Sequence, residues 1–494
     1  ANSSRHASGN FYKNRRAIIN ELLIQAHTGS RALRNERRIT AMMRTHNTLL
    51  VLALLVISNY VHPLYAMSLL DAYEAALYHD PTYRSALHES EAGEQAEKIG
   101  LASLLPNLSI THSQSTSSGT ITQANQLGIS NTGPLNFDSQ VSTLSLRQPI
   151  INMEALAGYR QGKAQADSSR AKFTGRSQEL VVRLVEAYVN ALLAQEHVRL
   201  AETQLNSLEE LKRVNERMLQ KGEGTTTDVL ETQSKYAIAQ ARVIEAKDEF
   251  EVAQLKLEAI IGQKITHLDQ LSEQFSSRAI QLQDYDMWYE MALERNAELV
   301  TQRHAVASGK EEIRKSHAGH APRVDLVASL TRNKAGSFIT QDRDVSLGTV
   351  GVEINFPLYS GGRVNAITAQ AKANHARAEA DLNAITDKVL VELRKQYNLL
   401  LSSVKKIESL EMGVKSAELL VDATRKSIRG GIRINLNLLD AQQQLHTSRR
   451  DLAQARYNYL LAYLRLQFAA GTLVLDDLRN VATYFKPQRI QARD

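Results

Sequence analysis

The sequence predicts a mixed α and β membrane protein in which one supersecondary unit occurs twice. Three observations predict it. Two long proline-free stretches, Pro149 to Gly222 and Pro357 to Gly431, carry apolar residues at heptad spacing. Each is preceded by two short segments that alternate apolar and polar residues, the pattern of strands with one apolar face. Past residue 66 no segment approaches the length of a membrane-spanning helix, so a membrane location requires a closed barrel.

The first long stretch places Leu180, Leu184, Ala187, Ala191, Ala194, Val198, Ala201, Leu205 and Leu208 at alternating steps of four and three. About 70 helical residues at ~1.5 Å each reach ~105 Å, far beyond a ~30 Å hydrocarbon core. Alanines on the seam permit the close packing of a curved wall, and a strict 3.5 period predicts left-handed supercoiling. In the second stretch Leu393, Tyr397, Leu400, Val404 and Ile407 keep the same spacing.

Charge is unevenly spread. The formal net charge is +6, which in one patch would suggest nucleic acid. Residues 1–66 alone carry a net of +7, so the remainder is nearly neutral and no nucleic-acid partner is expected. Within that leader, Arg44 precedes the apolar run Leu49 to Ile57, and Leu64-Tyr-Ala66 offers a small residue for cleavage. This is the layout of a secretory signal peptide over 42–66, with 1–41 a leader of doubtful status upstream of Met42 and Met43. There is no cysteine, which excludes disulfides, thiolate metal sites and a lipidated N-terminal cysteine.

From Met67 to about Ser103 the pattern is helical, interrupted at Asp80-Pro81 and ended by Pro106. Asn107 to Ser113 alternates, with Leu108, Ile110 and His112 on one face. A polar stretch, Gln114 to Ser139, reads as a long loop. Alternation resumes at Val141 to Gln148, and Pro149 opens the long helix. Gly222-Glu-Gly224 turns the chain into a return helix, about Thr227 to Ile261, with Gly262 as its left-handed C-cap. The order then recurs: one helix over about Met287 to His317, strands Val324–Leu330 and Val350–Phe356 joined by a polar loop, a long helix from Pro357, a turn at Gly430-Gly431, and a return helix ending near Gly471. The two prolines lie 208 residues apart and Gly222 lies 209 from Gly431. The repeats are taken as 67–275 and 276–478, with 479–494 a C-terminal tail.

Four strands cannot close a barrel, since the smallest membrane barrels use about eight. An open sheet in lipid would leave its edge groups unpaired. Two, three or four copies sharing one barrel would supply about eight, twelve or sixteen strands. The bland reading is a small soluble sheet capping a helical bundle, as in a soluble periplasmic coiled-coil scaffold or adaptor.

Three runs carry a family resemblance. They are Ala455 to Leu460 with Ala470-Gly-Thr-Leu473 and Asp477-Leu478; Phe356-Pro-Leu-Tyr-Ser-Gly-Gly362; and Gly431 to Ala441. With the duplication, the sequence over about 67–478 resembles the TolC-like outer-membrane factors of Gram-negative bacteria. The resemblance implies a homotrimer, a twelve-stranded barrel in outer-membrane lipid, and a continuous α-helical coiled-coil barrel across the periplasm. It also implies a periplasmic adaptor (membrane fusion) protein and an inner-membrane ABC or proton-driven transporter as partners. Arg147 to Met153 and Ala157 to Gly162 resemble the type I secretion branch, which exports unfolded proteins, more than the multidrug efflux branch.

Family members close the periplasmic end where two helical turns meet. The resemblance places Asp228 at a first-turn aspartate position and Arg433 at its arginine partner, with Ile428 where a tyrosine would complete the lock. Of two lumen-narrowing aspartates it leaves Asn437 at the first position and Asp440 at the second, so one carboxylate ring instead of two. The helical turns are Gly222, Gly224, Gly430 and Gly431. Asp228 also suits a helix N-terminus on dipole grounds alone. No His-Glu-x-x-His, Gly-x-Ser-x-Gly or P-loop occurs, so neither an enzyme nor a cofactor is expected.

Overall fold

In the computed structural model the described residues are 67–124, 128–272, 275, 284–335, 343–430 and 435–486. The leader, its apolar run and Arg433 lie outside them, as does Gly431.

Each repeat begins with a broken helix. Helix α1 (Leu69–His79) stops at Asp80, which caps α2 (Pro81–Ala102) by accepting the Tyr83 N–H at 2.6 Å. Asp80 is buried, and Arg183 reaches its carboxylate at 3.0 Å. In the second repeat α5 (Tyr285–Arg295) stops at Asn296, which caps α6 (Ala297–His317). The sequence pattern predicts one helix over about Met287 to His317. Asn296 breaks it because its side-chain oxygen takes the N–H groups of Glu298 and Leu299, at 3.0 and 3.1 Å.

The strands follow: β1 (Asn107–Ala124), β2 (Ser130–Ile151), β4 (Arg323–Ala335) and β5 (Arg343–Asn355). They form one antiparallel sheet in the order β1-β2-β4-β5. The polar stretch expected to be a loop is instead strand on both sides of residues 125–129. Its Ser and Thr side chains bond across the ladder, as Thr116 to Asp138 at 2.7 Å and Thr122 to Thr132 at 2.8 Å. A short β3 (Gln270–Leu271) pairs separately with β6 (Phe485–Lys486).

Helix α3 (Met153–Gln220) has 68 residues and α7 (Arg363–Arg429) has 67. Neither opens at its proline. Strand β2 runs two residues past Pro149, through a register shift, and Asn152 caps α3 with its side chain on the Ala155 N–H. Arg363, where α7 starts behind Gly362, lies six positions past Pro357. The return helices are α4 (Thr226–Ile261), ending at Gly262 with φ 73° as expected, and α8 (Asn435–Ala470).

Packing changes partner along each long helix. In its first half α3 lies against α2 and α6, and α6 lies against α7; farther on, α3 lies against α4 and α8, and α8 against α7. The helical layer therefore keeps four positions per copy throughout. Gly162 sets one close approach: a Cβ there would stand 2.3 Å from the Ala96 carbonyl oxygen of α2. On the expected seam, Leu180, Leu184, Ala191, Ala194 and Leu208 are buried. Between 180 and 193, however, α3 is buried on nearly every side, with Val181, Val185, Tyr188 and Leu192 also inside. There it runs through the main core with α1, α8, α9 (Leu475–Ala482) and the β3–β6 pair.

The C-terminal motif has structural work in that core. Leu473 and Leu478 are buried. Asp477 accepts from the Val474 N–H and from the Tyr463 hydroxyl, both at 3.0 Å. Burial, ahead of the Asp477 contact, pushes the Tyr463 hydroxyl up to about 12.

Candidate functional site

The sheet has two unlike faces. Reading across the register, one face carries Val324 and Ile354, then Leu326 and Val352, then Leu108, Leu146, Ala328 and Val350, then Ile110, Leu144 and Leu330. Most of these residues stand exposed: Ile110 and Val350 are each 79% accessible and Ile354 is 69%, while Val324, Leu326, Leu146 and Ala328 are half-buried. At about 3.4 Å per residue, the run from Leu330 down to Val324 spans ~20 Å along the strand, close to the ~25 Å apolar band of outer-membrane barrels. Charge ends the band on its far side, where Arg332 meets Asp344 at 2.7 Å and Lys334 lies 3.7 Å from the same carboxylate. The expected placement of Leu108, Ile110 and His112 on one face holds, and Leu144 and Leu146 pair with the first two across the register.

The opposite face is mostly polar, with Val327, Val345 and Leu347 as its apolar exceptions on β4 and β5. It carries Ser109, Thr111, Thr143, Ser145, Ser329, Thr331 and Thr349, with Ser109 and Ser145 hydroxyls 2.8 Å apart. At its helix-proximal end sits an ionic cluster that the sequence reading did not single out. Arg147 bridges Asp325 at 2.6 Å and Glu353 at 2.8 Å, and Arg323 lies 2.9 Å from Asp325. The signal was available: Asp325 and Glu353 each alternate with the apolar residues of their strands, so they face the water side. Among the described residues no helix is long and apolar enough to cross a membrane, and no group of His, Cys, Asp or Glu could hold a metal ion.

The structure deals unevenly with the residues mapped to the closed end. Asp228 is exposed in the first turn of α4 and forms a reciprocal cap with Thr225. Its carboxylate accepts the Thr225 N–H at 3.4 Å, and its own N–H donates to the Thr225 hydroxyl at 3.1 Å. Asn215 of α3 ties the two helices together just below, donating to the Thr232 hydroxyl at 2.8 Å. Gly222 takes the left-handed conformation (φ 75°) that the first turn needs. Gly224 packs its backbone on Met218 and Leu219, where a Cβ would meet the Leu219 nitrogen at 3.0 Å. Gly430 is right-handed (φ −82°) and caps α7. Ile428 is half-buried near the end of α7, and Asn437 is half-buried in the first turn of α8.

Asp440 is exposed between two buried neighbours. Leu439 packs with Leu208 of α3 and Ala239 of α4, and Ala441 packs with Ala417 and Val421 of α7. Both hairpins thus grip α8 on either side of Asp440 and leave its carboxylate outside their contact.

A family model described as "Outer membrane efflux protein" matches residues 72–263 and 288–472, nearly the whole of both repeats. The chain belongs to this family. It is 41% identical over 431 residues to the alkaline protease secretion protein AprF of Pseudomonas aeruginosa, covering 87% of this chain and 89% of that one. To the proteases secretion protein PrtF of Dickeya chrysanthemi it is 38% identical over 424 residues, covering 85% and 92%. Outer membrane protein TolC of Escherichia coli is 26% identical over 427 residues. Among solved structures, the Campylobacter jejuni CmeC outer membrane channel superposes with a TM-score of 0.70 at 16% identity, covering 84% of this chain and 89% of that one. VceC of Vibrio cholerae superposes at 0.68 and 18% identity, covering 82% and 96%. At such identities these likenesses show the fold.

Membership of the outer membrane efflux protein family places this chain in the outer membrane as a TolC-like channel, with its helices in the periplasm. The soluble-scaffold reading is set aside by it. The family is one of transport channels, and the type I branch expected from the sequence is the branch of the protease-secretion relatives.

Proposed function

We propose that three copies of this chain form the exit duct of a type I secretion system, receiving unfolded protein from an inner-membrane ABC transporter through a periplasmic adaptor. The observation that carries the reading is the pair of open edges. The sheet ends in β1 on one side and β5 on the other, and all its neighbours are antiparallel. Placing β5 of one copy beside β1 of the next continues the antiparallel alternation, and the unpaired backbone groups that lipid forbids disappear on closure. The helical layer has matching edges. Leu230, Ile238, Ile244, Val252 and Leu255 lie exposed along α4, and Val391, Leu401, Met412 and Leu419 along α7. Those two helices bound the lower layer, so the same head-to-tail step buries both stripes.

In this reading residues 67–275 and 276–478 are the two repeats, and three Asp440 carboxylates make one ring inside the periplasmic end. Asn437 occupies the place of a second ring. Ile428 lies near the end of α7, just before the second turn to which the resemblance assigns Arg433. Asp228 serves the α4 cap first, so any lock to Arg433 shares a carboxylate already engaged with Thr225. The protease-secretion names of AprF and PrtF favour protein cargo over drugs.

The test is complementation. A Pseudomonas aeruginosa strain lacking AprF regains alkaline protease in the medium when it carries this protein, and the detergent-extracted channel runs as a trimer on an unheated gel. Intact outer-membrane trimers that restore no secretion would overturn the cargo assignment; a monomer in detergent would overturn the duct itself.

A further inference from the structure

Met67 is held in the body of the protein through its backbone. Its N–H donates to the His267 carbonyl at 2.9 Å, and its carbonyl accepts from the Asp269 N–H at 3.4 Å. The same carbonyl accepts from the Tyr188 hydroxyl at 2.9 Å. These bonds make a parallel bridge between Met67 and Leu268. Tyr188 is fully buried and its hydroxyl also takes the Asp269 N–H at 2.9 Å. Two residues on, Leu69 is already core.

Two carboxylates stand at this point. Asp71 folds back onto the Ser68 hydroxyl at 2.7 Å and its N–H at 3.4 Å. Asp269 is 6% exposed, and its Oδ1 is buried without a hydrogen-bond partner. Among the described residues no ion pair reaches it. Burial, and behind it the Asp71 charge, push the Asp269 carboxyl upward. A buried carboxylate lacking a cation is costly, and a native fold normally supplies one.

The sequence just before Met67 has the layout of an export leader ending in Leu64-Tyr-Ala66. We propose that a signal peptidase cuts between Ala66 and Met67, and that the α-ammonium so released is the missing cation of an acidic socket formed by Asp269 and Asp71. Water adds across the peptide bond, leaving a carboxylate on Ala66 and an amine on Met67 that takes up a proton near neutral pH. The amide has one hydrogen, already given to the His267 carbonyl. The ammonium has three, so it keeps that bond and turns two donors toward the carboxylates. Processing thus completes the core instead of merely trimming the chain.

The test uses protein extracted from outer membranes. Intact mass should give Met67 as the first residue. The α-amine should resist an amine-reactive ester in the folded channel and label on denaturation. A glycine inserted between Ala66 and Met67 moves the ammonium one residue away. In the natural background Asp269→Asn should lower the unfolding temperature by several degrees. In the inserted background it should leave that temperature unchanged or raise it. A different first residue overturns the cleavage site. An α-amine that labels freely in the folded protein, or an Asp269→Asn effect equal in both backgrounds, overturns the socket. None of these outcomes bears on whether the channel secretes protein.

Discussion

The Arg147 guanidinium lies 2.6 Å from the Asp325 carboxylate, joining β2 of the first repeat to β4 of the second. Only 3% of the Asp325 side chain is exposed, and Arg147 also holds Glu353 of β5 at 2.8 Å. One guanidinium therefore staples three strands where the sheet gives way to helices. Arg147→Leu leaves Asp325 to Arg323 and takes the Arg147 bridge from Glu353, and the proposed trimer should dissociate at a clearly lower temperature on an unheated-to-boiled gel series. Arg147→Lys should recover little of the loss, because a single ammonium cannot fork to both acids. A trimer as heat-resistant as wild type in Arg147→Leu would mean the cluster is ornamental.

Tyr188→Phe removes the hydroxyl that accepts the Asp269 N–H and donates to the Met67 carbonyl. The Asp269 N–H then keeps only its 3.4 Å bond to the Met67 carbonyl, and leaving a buried donor so poorly satisfied costs up to about 1–3 kcal/mol. Thermal unfolding followed by circular dichroism should show a loss in that range, with secretion preserved at lower temperatures.

At the periplasmic end, capping and locking separate cleanly. Thr225→Ala removes only the cap and should cost about 0.5–2 kcal/mol, seen as faster hydrogen exchange in the first turn of α4. Asp228→Ala removes its half of the cap and, with it, the proposed lock to Arg433. If Asp228 also locks the end, its single-channel conductance should rise above that of Thr225→Ala; equal conductance reduces Asp228 to a helix cap. Asp440→Asn should lower cation over anion selectivity in planar bilayers. Unchanged selectivity would take Asp440 off the lumen.

Gly471 ends α8 with φ 71°, and a Cβ there would stand 2.3 Å from the Arg295 carbonyl oxygen. Gly471→Ala should block accumulation of the proposed trimer in the membrane. Gly361 has φ 61° but open space around it, so Gly361→Ala should cost only the left-handed strain of about 1–2 kcal/mol. Equal trimer yields from the two variants would contradict the packing at Gly471.

His446 of α8 has a buried, unpartnered Nδ1. Burial first, then Arg449 and Arg199, hold its imidazole below the ordinary range. The folded state thus binds the proton more weakly than the unfolded chain. Stability is full above the unfolded value of about 6.5 and falls as pH drops through it toward the lower folded value. Melting curves across that window should show an acid-side loss that His446→Gln reduces; identical pH profiles would remove His446 from the cause.

Much of this architecture was legible in the residues. Heptad spacing located α3 and α7, prolines and glycines located most turns, and two alternating segments before each long helix located the sheet. The ends of β1 and β2 were hidden because Ser and Thr beyond the apolar band leave both faces polar, so no alternation marks them. The break at Asn296 was hidden because no proline follows it, unlike Asp80. The Thr225 and Asp228 cap is readable from its spacing, a threonine three residues before an acid at the start of α4. The Asp269 site could not be read at all, since it arises where the start of the body, a connector and α3 converge.

The β1–β2 ribbon continues as a pair beyond the last rung that β2 shares with β4, from Thr116 and Asp138 out to Ala124 and Ser130. Nine further residues per strand at about 3.4 Å each lift it ~30 Å past the four-stranded wall. On the cell surface such prongs would be the first part of the molecule that an antibody or a phage tail encounters. A peptide tag spliced at Gly128 would report, on living bacteria, how many assembled channels have reached the outside.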